Sequence, residues 1–455
     1  MNSMLIRWTR AQIALGLMVV TSWMIGGSFA EAQIAQQAIG GVSVDASGVL
    51  ANAQTDASQR LREEMIRSLN SLNQPQAADL TQPTELRKVS LRALQAALKE
   101  SLDSGKPIAD EMRFLAGLQS IRYVFAYPER NDVVIAGFGE GWKVDDRGFV
   151  VGVTTGRPVL LLDDLLVALR ATRQSKGAPI TCSIDPTREG LQRLQGFVRT
   201  LTTGNNRDAI EDGLEKQLGN QSITISGVPS TSHLARVLVA ADYKMKRIAM
   251  ALDRSPVAGL PSYLSMITGG GRGMNNMLPR WWMTMDYAPL LHDDSKLAWE
   301  MSGPGVKTMS EEDRLRNDGS VQRGAQQGGV TQRWADMMTA KYSELAIKDP
   351  IFGQLRGVMD LAVVAALMTQ EGLDKRVGLD LATFVQGAPV DQFTAPSQVP
   401  TIAQSLNKGT SVVFSASGGV EIQPFAVVQK QATSDKLPTV RDNVGAATGN
   451  RWWWN

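Results

Sequence analysis

Short strands and helices alternate through the first half of the chain. Residues 121–126 and 133–136 are runs of β-branched and aromatic side chains separated by a turn, and they predict a β-hairpin. Residues 158–162 predict a further strand. Residues 180–184 and 222–228 predict two more, with a helix between them.

Longer apolar periodicities predict the helices. Residues 230–252 carry apolar residues at intervals of three and four, which indicates a long amphipathic helix, and residues 84–98 show the same spacing after Pro83. Residues 334–370 also predict helix, with a break at Asp349-Pro350, and their second half is apolar on nearly all sides. A helix of that kind belongs in a core.

One ten-residue pattern occurs twice. Residues 41–50 and 141–150 both follow G-x-x-V-D-x-x-G-x-[V/L], with two β-prone pieces around an Asp-x-x-Gly turn. Each copy predicts a small hairpin. Two explanations stay open: the same turn chemistry used independently, or a duplicated element.

The remaining segments differ from these in amino-acid composition. Residues 280–309 predict strands that carry Trp281, Trp282 and Trp299, whereas residues 303–329 are charged and rich in Gly and Gln, which predicts an exposed, mobile connection. Residues 401–428 predict a closing helix and two strands.

Boundaries at these changes predict an α+β fold with mixed small sheets and helices in at least two subdomains. The segments are a signal peptide (1–32), an N-terminal hairpin and helical region (33–118), an α/β region (119–252), a β-rich region with tryptophans (253–302), a flexible connection (303–330), a helical and β C-terminal region (331–430) and a flexible polar tail that ends in a tryptophan cluster (431–455).

The first thirty-two residues have the pattern of a secretory signal. Arg7 and Arg10 precede an apolar stretch, and Ala30-Glu31-Ala32 is an A-x-A cleavage site. The apolar stretch is shorter than the roughly 20 residues needed to span a bilayer. We therefore expect cleavage near Ala32, an extracytoplasmic (periplasmic or secreted) mature chain and no membrane span within it.

Charge excludes some partners. Lys and Arg number 47 and Asp and Glu number 45; removing residues 1–32 takes away two Arg and one Glu, which leaves 45 against 44. A nearly neutral chain is not attracted as a whole to nucleic acid or to an anionic membrane.

The 455-residue chain contains one Cys and two His, which narrows its chemistry. Those counts exclude an internal disulfide framework and a thiolate zinc site, and His233 and His292 lie too far apart for a paired-His helix motif. Cys182 falls within a predicted strand, where a small buried hydrophobic residue is the usual role. We expect no cofactor and no metal.

Paired carboxylates remain, and each has a structural role to fill first. Asp145-Asp146 belong to a predicted turn, and Asp163-Asp164 stand where a helix N-cap is required. A glycosidase needs two carboxylates opposed across a cleft, which adjacency in sequence does not supply.

Two sets of residues are candidates for partner binding. Arg236, Lys244 and Arg247 lie along one polar face of the predicted 230–252 helix, which is typical either of a solvated face or of a site for an anionic polymer. The terminal cluster Trp452, Trp453 and Trp454 is costly to leave in water, so it indicates docking onto this protein or another.

Five pieces of the chain carry a family resemblance: RYVF at 122–125, GWKVD at 141–145, TGRPVL at 155–160, LVAADYKMKR at 238–247 and MDLAVVAAL at 359–367. On these pieces the chain resembles a planctomycete-type secreted protein family of unknown function. The resemblance implies an extracytoplasmic bacterial protein, and it implies no reaction and no catalytic residues.

Together these features predict a non-enzymatic, envelope-associated binding or assembly component whose partner is an envelope protein or a polysaccharide, not nucleic acid. The alternative is a secreted hydrolase of polysaccharide or peptide that works through carboxylates, with Asp145, Asp146 or Asp163 as candidates.

Overall fold

The structure is a computed structural model of the 455-residue chain. It describes residues 41–52, 78–175, 177–200, 207–267, 277–315, 321–322, 329–405, 412–413 and 416–447. The predicted signal peptide and the Trp452–Trp454 cluster lie outside the described residues.

The strands are β1 (Val42–Val44), β2 (Leu50–Asn52), β3 (Thr84–Ser90), β4 (Tyr123–Tyr127), β5 (Asp132–Gly139), β6 (Trp142–Val144), β7 (Val150–Gly152), β8 (Ile180–Asp185), β9 (Asn220–Ser226), β10 (Met277–Asp286), β11 (Leu290–His292), β12 (Ala298–Glu300), β13 (Gly305–Leu315), β14 (Val321–Gln322), β15 (Gln398–Pro400), β16 (Gln404–Ser405), β17 (Val412–Val413), β18 (Ser417–Ile422) and β19 (Gln431–Thr433).

The helices are α1 (Ala78–Thr81), α2 (Leu91–Asp103), α3 (Asp110–Arg113), α4 (Leu162–Gln174), α5 (Arg188–Val198), α6 (Arg207–Leu218), α7 (His233–Ala249), α8 (Tyr263–Met266), α9 (Val330–Lys348), α10 (Pro350–Glu371), α11 (Leu373–Val377), α12 (Pro424–Val428) and α13 (Leu437–Ala447). Short 3₁₀ turns at Leu115–Gly117 and Pro128–Arg130 and a π turn at Thr383–Gly387 complete the described elements.

A nine-stranded sheet gathers strands from distant parts of the chain. Its main path runs β14-β13-β10-β18-β8-β9-β15, and β16 and β17 attach at β10. The burial pattern of β8 shows that one face of the sheet is covered more fully than the other. Ile180, Cys182 and Ile184 are buried and alternate with half-buried residues, as expected for a pleated strand. Helices α7 and α9 cover that inner face. Trp281 joins β10 to α9, since its ring centroid lies 4.7 Å from that of Trp334.

A second sheet of six strands runs β19-β11-β12-β4-β5-β3. One face contributes Val124 and Ile135 to the main core, and the other carries Phe125, which packs with Leu437 and Val444 of α13. The C-terminal helix is therefore the cover of this sheet.

Helix α10 lies in the middle of the molecule. It is the one helix among the described residues that is long and apolar enough to cross a bilayer, and 83% of its most apolar window is buried within the protein, as in a core helix. Its Gly353 and Gly357 allow close approach, because a Cβ there would press on Pro158 and Leu160 respectively.

The α+β fold class with small sheets, helices and several subdomains is confirmed. The structure also confirms the hairpins at 121–136, 41–50 and 141–150, the buried strand that holds Cys182, and the helix break at Asp349-Pro350. The domain boundaries stay a prediction.

Several expectations for single elements are wrong. Residues 84–90 form strand β3, and the helix begins only at Leu91, because Ser90 caps it by accepting a hydrogen bond from the N–H of Ala93. Residues 158–161 form no strand; only Pro158 makes an isolated bridge, to Val151. Helix α4 begins earlier than predicted, so Asp163 and Asp164 lie in its first turn and do not cap it.

Two segments expected to be flexible are ordered where the structure describes them. Residues 305–315 are strand β13, which pairs along its length with β10 and so belongs to the large sheet. Residues 431–447 were predicted as the first part of a flexible tail, and they form β19 and α13. Backbone pairing with β11 and burial of Leu437 hold them in place.

Candidate functional site

The outer face of the nine-stranded sheet, opposite α7 and α9, presents side chains in rows across five strands. One row is Met309, Trp282, Gly419, Ser183 and Thr224, and the next is Lys307, Thr284, Glu421, Thr181 and Ser226. Five strands about 4.8 Å apart make a face about 20 Å wide. We call these residues, with Arg280, Glu311, Asp185 and Ser222 of the adjoining row, the outer sheet face.

Trp282 and Met309 form an apolar pair within this polar face. They lie directly opposite each other in the β10–β13 register; Trp282 is half-buried and Met309 is 49% exposed. The guanidinium of Arg280 lies 4.8 Å from the Trp282 ring, and it forms ion pairs with Asp185 and Glu311 at 3.4 Å each. The indole therefore packs against a guanidinium whose charge is neutralised by two carboxylates.

A small cavity lies between the hairpins β1–β2 and β6–β7. It has a volume of about 90 Å³, and its lining includes Val42, Asn52, Arg147, Lys244 and Asp349. Burial raises the pKa of the Asp349 carboxyl, against the nearby charge of Lys244. A cavity of this size with charged walls suits a few waters or one small polar group.

Lys244, one of the predicted binding residues, borders this cavity, and both Lys244 and Arg247 form ion pairs. Lys244 Nζ lies 2.8 Å from Asp253 Oδ2, and Arg247 Nη2 lies 2.9 Å from Asp253 Oδ1. Both side chains are partly buried. Their role in partner binding stays a prediction, but they do not form a freely solvated face.

Arg236, the third residue of that set, is fully buried. The expectation of a solvated face is therefore wrong for it, and a polymer cannot reach it in this conformation. The polar stripe on α7 faces the interior because the helix is packed on both sides, between the large sheet and α10.

His233 and Asp164 form a buried pair that the sequence did not reveal. His233 Nδ1 lies 3.0 Å from both carboxylate oxygens of Asp164. Burial opposes the charged imidazole, and the Asp164 carboxylate outweighs it, so the pKa of His233 lies above its ordinary value. The two residues lie 69 positions apart, and only the packing of α4 against α7 joins them.

The pair borders a cavity of about 10 Å³, room for about one water, between α4, α7 and α10. Gln354 also lines it, and the Oε1 atom of Gln354 is buried with no hydrogen-bond partner among the described residues. The arrangement of carboxylate, imidazole and amide is able to hold and polarise a water molecule.

The candidate carboxylates do not converge. Asp145 Oδ1 accepts hydrogen bonds from the N–H groups of Arg147 and Phe149, so it serves a turn, and Asp146 is exposed. Asp163 lies next to the His233 pair, where its Oδ2 accepts a hydrogen bond from the N–H of Asp391, and burial raises its pKa. Of the three, only Asp163 borders an imidazole.

Metal-ligand clusters and reactive thiols give no further site in the described part of the chain. No group of three or more His, Cys, Asp or Glu side chains is arranged there to hold a metal. Cys182 is fully buried, and burial raises its thiol pKa well above the ordinary value, which keeps it protonated.

Comparison with known proteins adds one match. Residues 182–263 match a family model described as a protein of unknown function (DUF1598). No curated protein and no solved structure matches the chain. The matched segment runs from β8 through α7 to α8, so it includes part of the outer sheet face, His233 and Arg236.

Proposed function

We propose that the protein is an exported, non-enzymatic binding component of a bacterial cell envelope, and that it binds polysaccharide on the outer sheet face. The signal-like leader and the resemblance to a planctomycete-type secreted family support export. The binding proposal is carried by one observation, which is that Trp282, with Arg280 against its ring, lies on a wide face that carries several Ser and Thr side chains.

Polysaccharide suits this face better than other polymers do. Sugar rings offer an apolar C–H face that packs on an indole, and hydroxyls that pair with Ser and Thr. A protein partner would favour a wider apolar centre than one Trp–Met pair. Nucleic acid would require unpaired cations, whereas Arg280 is neutralised by Asp185 and Glu311.

The test is co-sedimentation of the purified mature chain with insoluble peptidoglycan, chitin and cellulose. We expect binding to at least one of them, and a loss of roughly tenfold in affinity for Trp282→Ala, in line with the contribution of a buried aromatic contact. Val153→Ala is the matched control, because Val153 is another exposed apolar residue and lies outside the face. Absence of binding to all three polymers, or equal binding by Trp282→Ala, contradicts the proposal.

An envelope protein is the other class of partner, and the terminal Trp452–Trp454 cluster is its proposed docking segment. Affinity recovery of the tagged protein from its native envelope tests it, with the full chain compared with a chain that lacks residues 451–455. A stoichiometric partner that depends on those residues supports an assembly role, and one that does not depend on them refutes the tail-docking proposal.

A second candidate function is a secreted hydrolase, favoured by the His233–Asp164 pair with Asp163 beside it. In this function His233 acts as the general base on a water, and Asp164 orients it. Hydrolysis of polysaccharide or peptide panels that is abolished in His233→Asn and in Asp164→Asn, with both variants still folded by circular dichroism, would support it. Activity that survives both substitutions would exclude this site.

A further inference from the structure

Arg236 is a buried cation whose nitrogen atoms have no hydrogen-bond acceptor among the described residues. Its residue exposure is 0%, and Nε, Nη1 and Nη2 are all buried without a hydrogen-bond acceptor among the described residues. No ion pair joins it to a carboxylate there either. Burial alone lowers its pKa, to about 10, as expected for a guanidinium that no carboxylate neighbours.

Two other buried cations of the described chain are provided with acceptors. Lys246 Nζ donates to Asp242 Oδ2 at 2.7 Å, and the Arg87 guanidinium donates to the carbonyl oxygens of Asp79, Leu80 and Gln82. Taking an ion out of water without such compensation is strongly unfavourable. The exception at Arg236 therefore indicates a group that the isolated chain does not supply.

The guanidinium lies beside the N-terminal end of α7. Arg236 stands in the first turns of this 17-residue helix, where side chains lean towards the N-terminus. The position of the Phe393 ring shows where the guanidinium lies. The ring centroid is 5.9 Å from Arg236 Cζ and 6.2 Å from the His233 ring. The Phe393 N–H donates a hydrogen bond to Thr231 O, just before α7. The helix dipole favours negative charge at this end, where the Asp164 carboxylate already pairs with His233 and leaves the Arg236 guanidinium without an acceptor.

We propose that Arg236 binds an oxyanion, the carboxylate or phosphate group of a small ligand, at the N-terminal end of α7. The planar guanidinium of arginine can donate two parallel hydrogen bonds to a carboxylate or to a phosphate. The inference does not rest on the polysaccharide proposal, since the outer sheet face lies on the opposite side of the sheet from α7.

Residues 388–397 close this site. Phe393 is half-buried over the guanidinium, and hydrogen bonds hold the segment along its length: Arg170 Nη2 donates to Ala388 O, the Asp391 N–H to Asp163 Oδ2 and the Phe393 N–H to Thr231 O. The cation–π contact with Phe393 compensates the charge only in part. An anion bound to Arg236 takes the position of the Phe393 ring, so binding requires this side chain to turn away while the Phe393 N–H stays bonded to Thr231 O.

The test is thermal unfolding of the full mature chain in sodium phosphate, sodium acetate or sodium chloride at equal ionic strength. We expect a rise in Tm above the chloride value in phosphate or in acetate, and the salt that produces it identifies the group. Arg236→Met should abolish the rise and leave the Tm in chloride unchanged or higher, because it removes an uncompensated buried charge. Arg247→Met is the control: Arg247 is paired with Asp253, so this variant should keep the anion-dependent rise.

Two further variants keep the proposal testable if Arg236→Met does not fold. Phe393→Ala uncovers the guanidinium and should tighten binding of the effective anion in calorimetric titration, whereas Arg236→Lys keeps the charge, loses the fork and should weaken it about tenfold. The proposal is overturned if neither salt raises the Tm, if Arg236→Met keeps the rise, or if Arg236→Met folds but is markedly less stable in chloride, since a purely structural arginine would behave in that last way.

Discussion

Asp45 and Asp145 close the turns of the two small hairpins in the same manner. Asp45 Oδ1 accepts hydrogen bonds from the N–H groups of Ser47 and Val49 at 2.8 and 3.0 Å, and Asp145 Oδ1 accepts from Arg147 and Phe149 at 3.0 and 2.8 Å. Gly48 and Gly148 have φ angles of 84° and 83°. The repeated sequence pattern therefore encodes one turn geometry, and the two hairpins share the lining of one cavity.

Alanine substitutions at these two glycines should differ in their cost to stability. Gly148→Ala places a Cβ in the left-handed region and should lower the free energy of unfolding by about 1 kcal/mol. Gly48→Ala should cost more, because its Cβ would also collide with Ser397 Oγ and meet Ala395 O at 3.0 Å. Urea unfolding of the mature chain measures both.

Gly196→Ala is the matched control. Gly196 lies within α5, and a Cβ there meets no atom within 4 Å, so this variant should be stabilised by about 0.5–1 kcal/mol. Equal costs for Gly48→Ala and Gly148→Ala would contradict the contact with Ser397.

The His233–Asp164 pair predicts a pH dependence of stability. The folded-state pKa of His233 is raised above its unfolded value of about 6.5. The stabilisation is therefore complete below that value and is lost as the pH rises through the folded-state pKa. Chemical unfolding at a series of pH values should show the wild type losing stability relative to His233→Asn as the pH rises above about 6.5. The same loss in Asp164→Asn would show that another partner raises the pKa.

At the scale of elements, the buried pair Asp242–Lys246 joins α7 to the large sheet. Lys246 Nζ lies 2.7 Å from Asp242 Oδ2 and also reaches the carbonyl oxygens of Ile184 and Gly418, in β8 and β18. Burial raises the pKa of Asp242 to about 6, against the opposing charge of Lys246. Helix and sheet are therefore connected through two buried charges that depend on each other.

A double-mutant cycle tests this dependence. Lys246→Met should lower the free energy of unfolding by about 3–5 kcal/mol, because it leaves the Asp242 carboxylate buried without its ion-pair partner. Asp242→Asn should have a similar cost, because it leaves the Lys246 ammonium without its carboxylate. The double variant should recover most of that loss, since removing both charges of a buried pair is often close to neutral. Additive losses in urea unfolding would mean that the two residues act separately.

Patterns within single elements predicted more of this fold than patterns between them. The long helices were found because α9 and α10 keep an apolar period and Pro350 separates them. Strand β13 was missed because its outward residues Met309 and Glu311 are exposed, which gives the segment the composition of a connection. Strand β3 was missed because Leu86 and Val89 fit a helical period as well as a strand, and pairing with β5 decides between them.

The candidate sites depend on contacts that no local pattern records. Asp164 and His233 meet across two helices, and the outer sheet face is assembled from β13, β10, β18, β8 and β9. The burial of Arg236 was missed for a similar reason. A cationic stripe on an amphipathic helix predicts a solvent-exposed face, and this prediction fails when both sides of the helix are covered by other elements. The spacing of Leu437, Val440 and Val444 was the signal that would have revealed α13.

At the scale of the molecule, the main core is continuous from Val42 to Val428, whereas α13 covers a smaller cluster on the far side of the six-stranded sheet. Tyr127 belongs to that cluster, where its hydroxyl donates to Arg441 O at 2.8 Å and its ring lies 4.5 Å from Arg441 Cζ. The C-terminal segment is thus part of the fold up to Ala447.

Two truncations separate this structural part from the terminal tryptophans. If the tryptophans dock on a partner, as proposed above, deleting residues 448–455 should leave the Tm of the isolated chain unchanged. Deleting residues 431–455 removes β19 and the buried Leu437 and Val444, and it uncovers Phe125. Losing those two side chains alone should cost roughly 3 to 6 kcal/mol, at about 1.5–3 kcal/mol for each buried aliphatic residue. Calorimetric unfolding of both chains decides the matter: if the longer deletion keeps the full-length Tm, α13 is not a structural cover, and if the shorter deletion lowers the Tm, the tryptophans dock on this protein rather than on a partner.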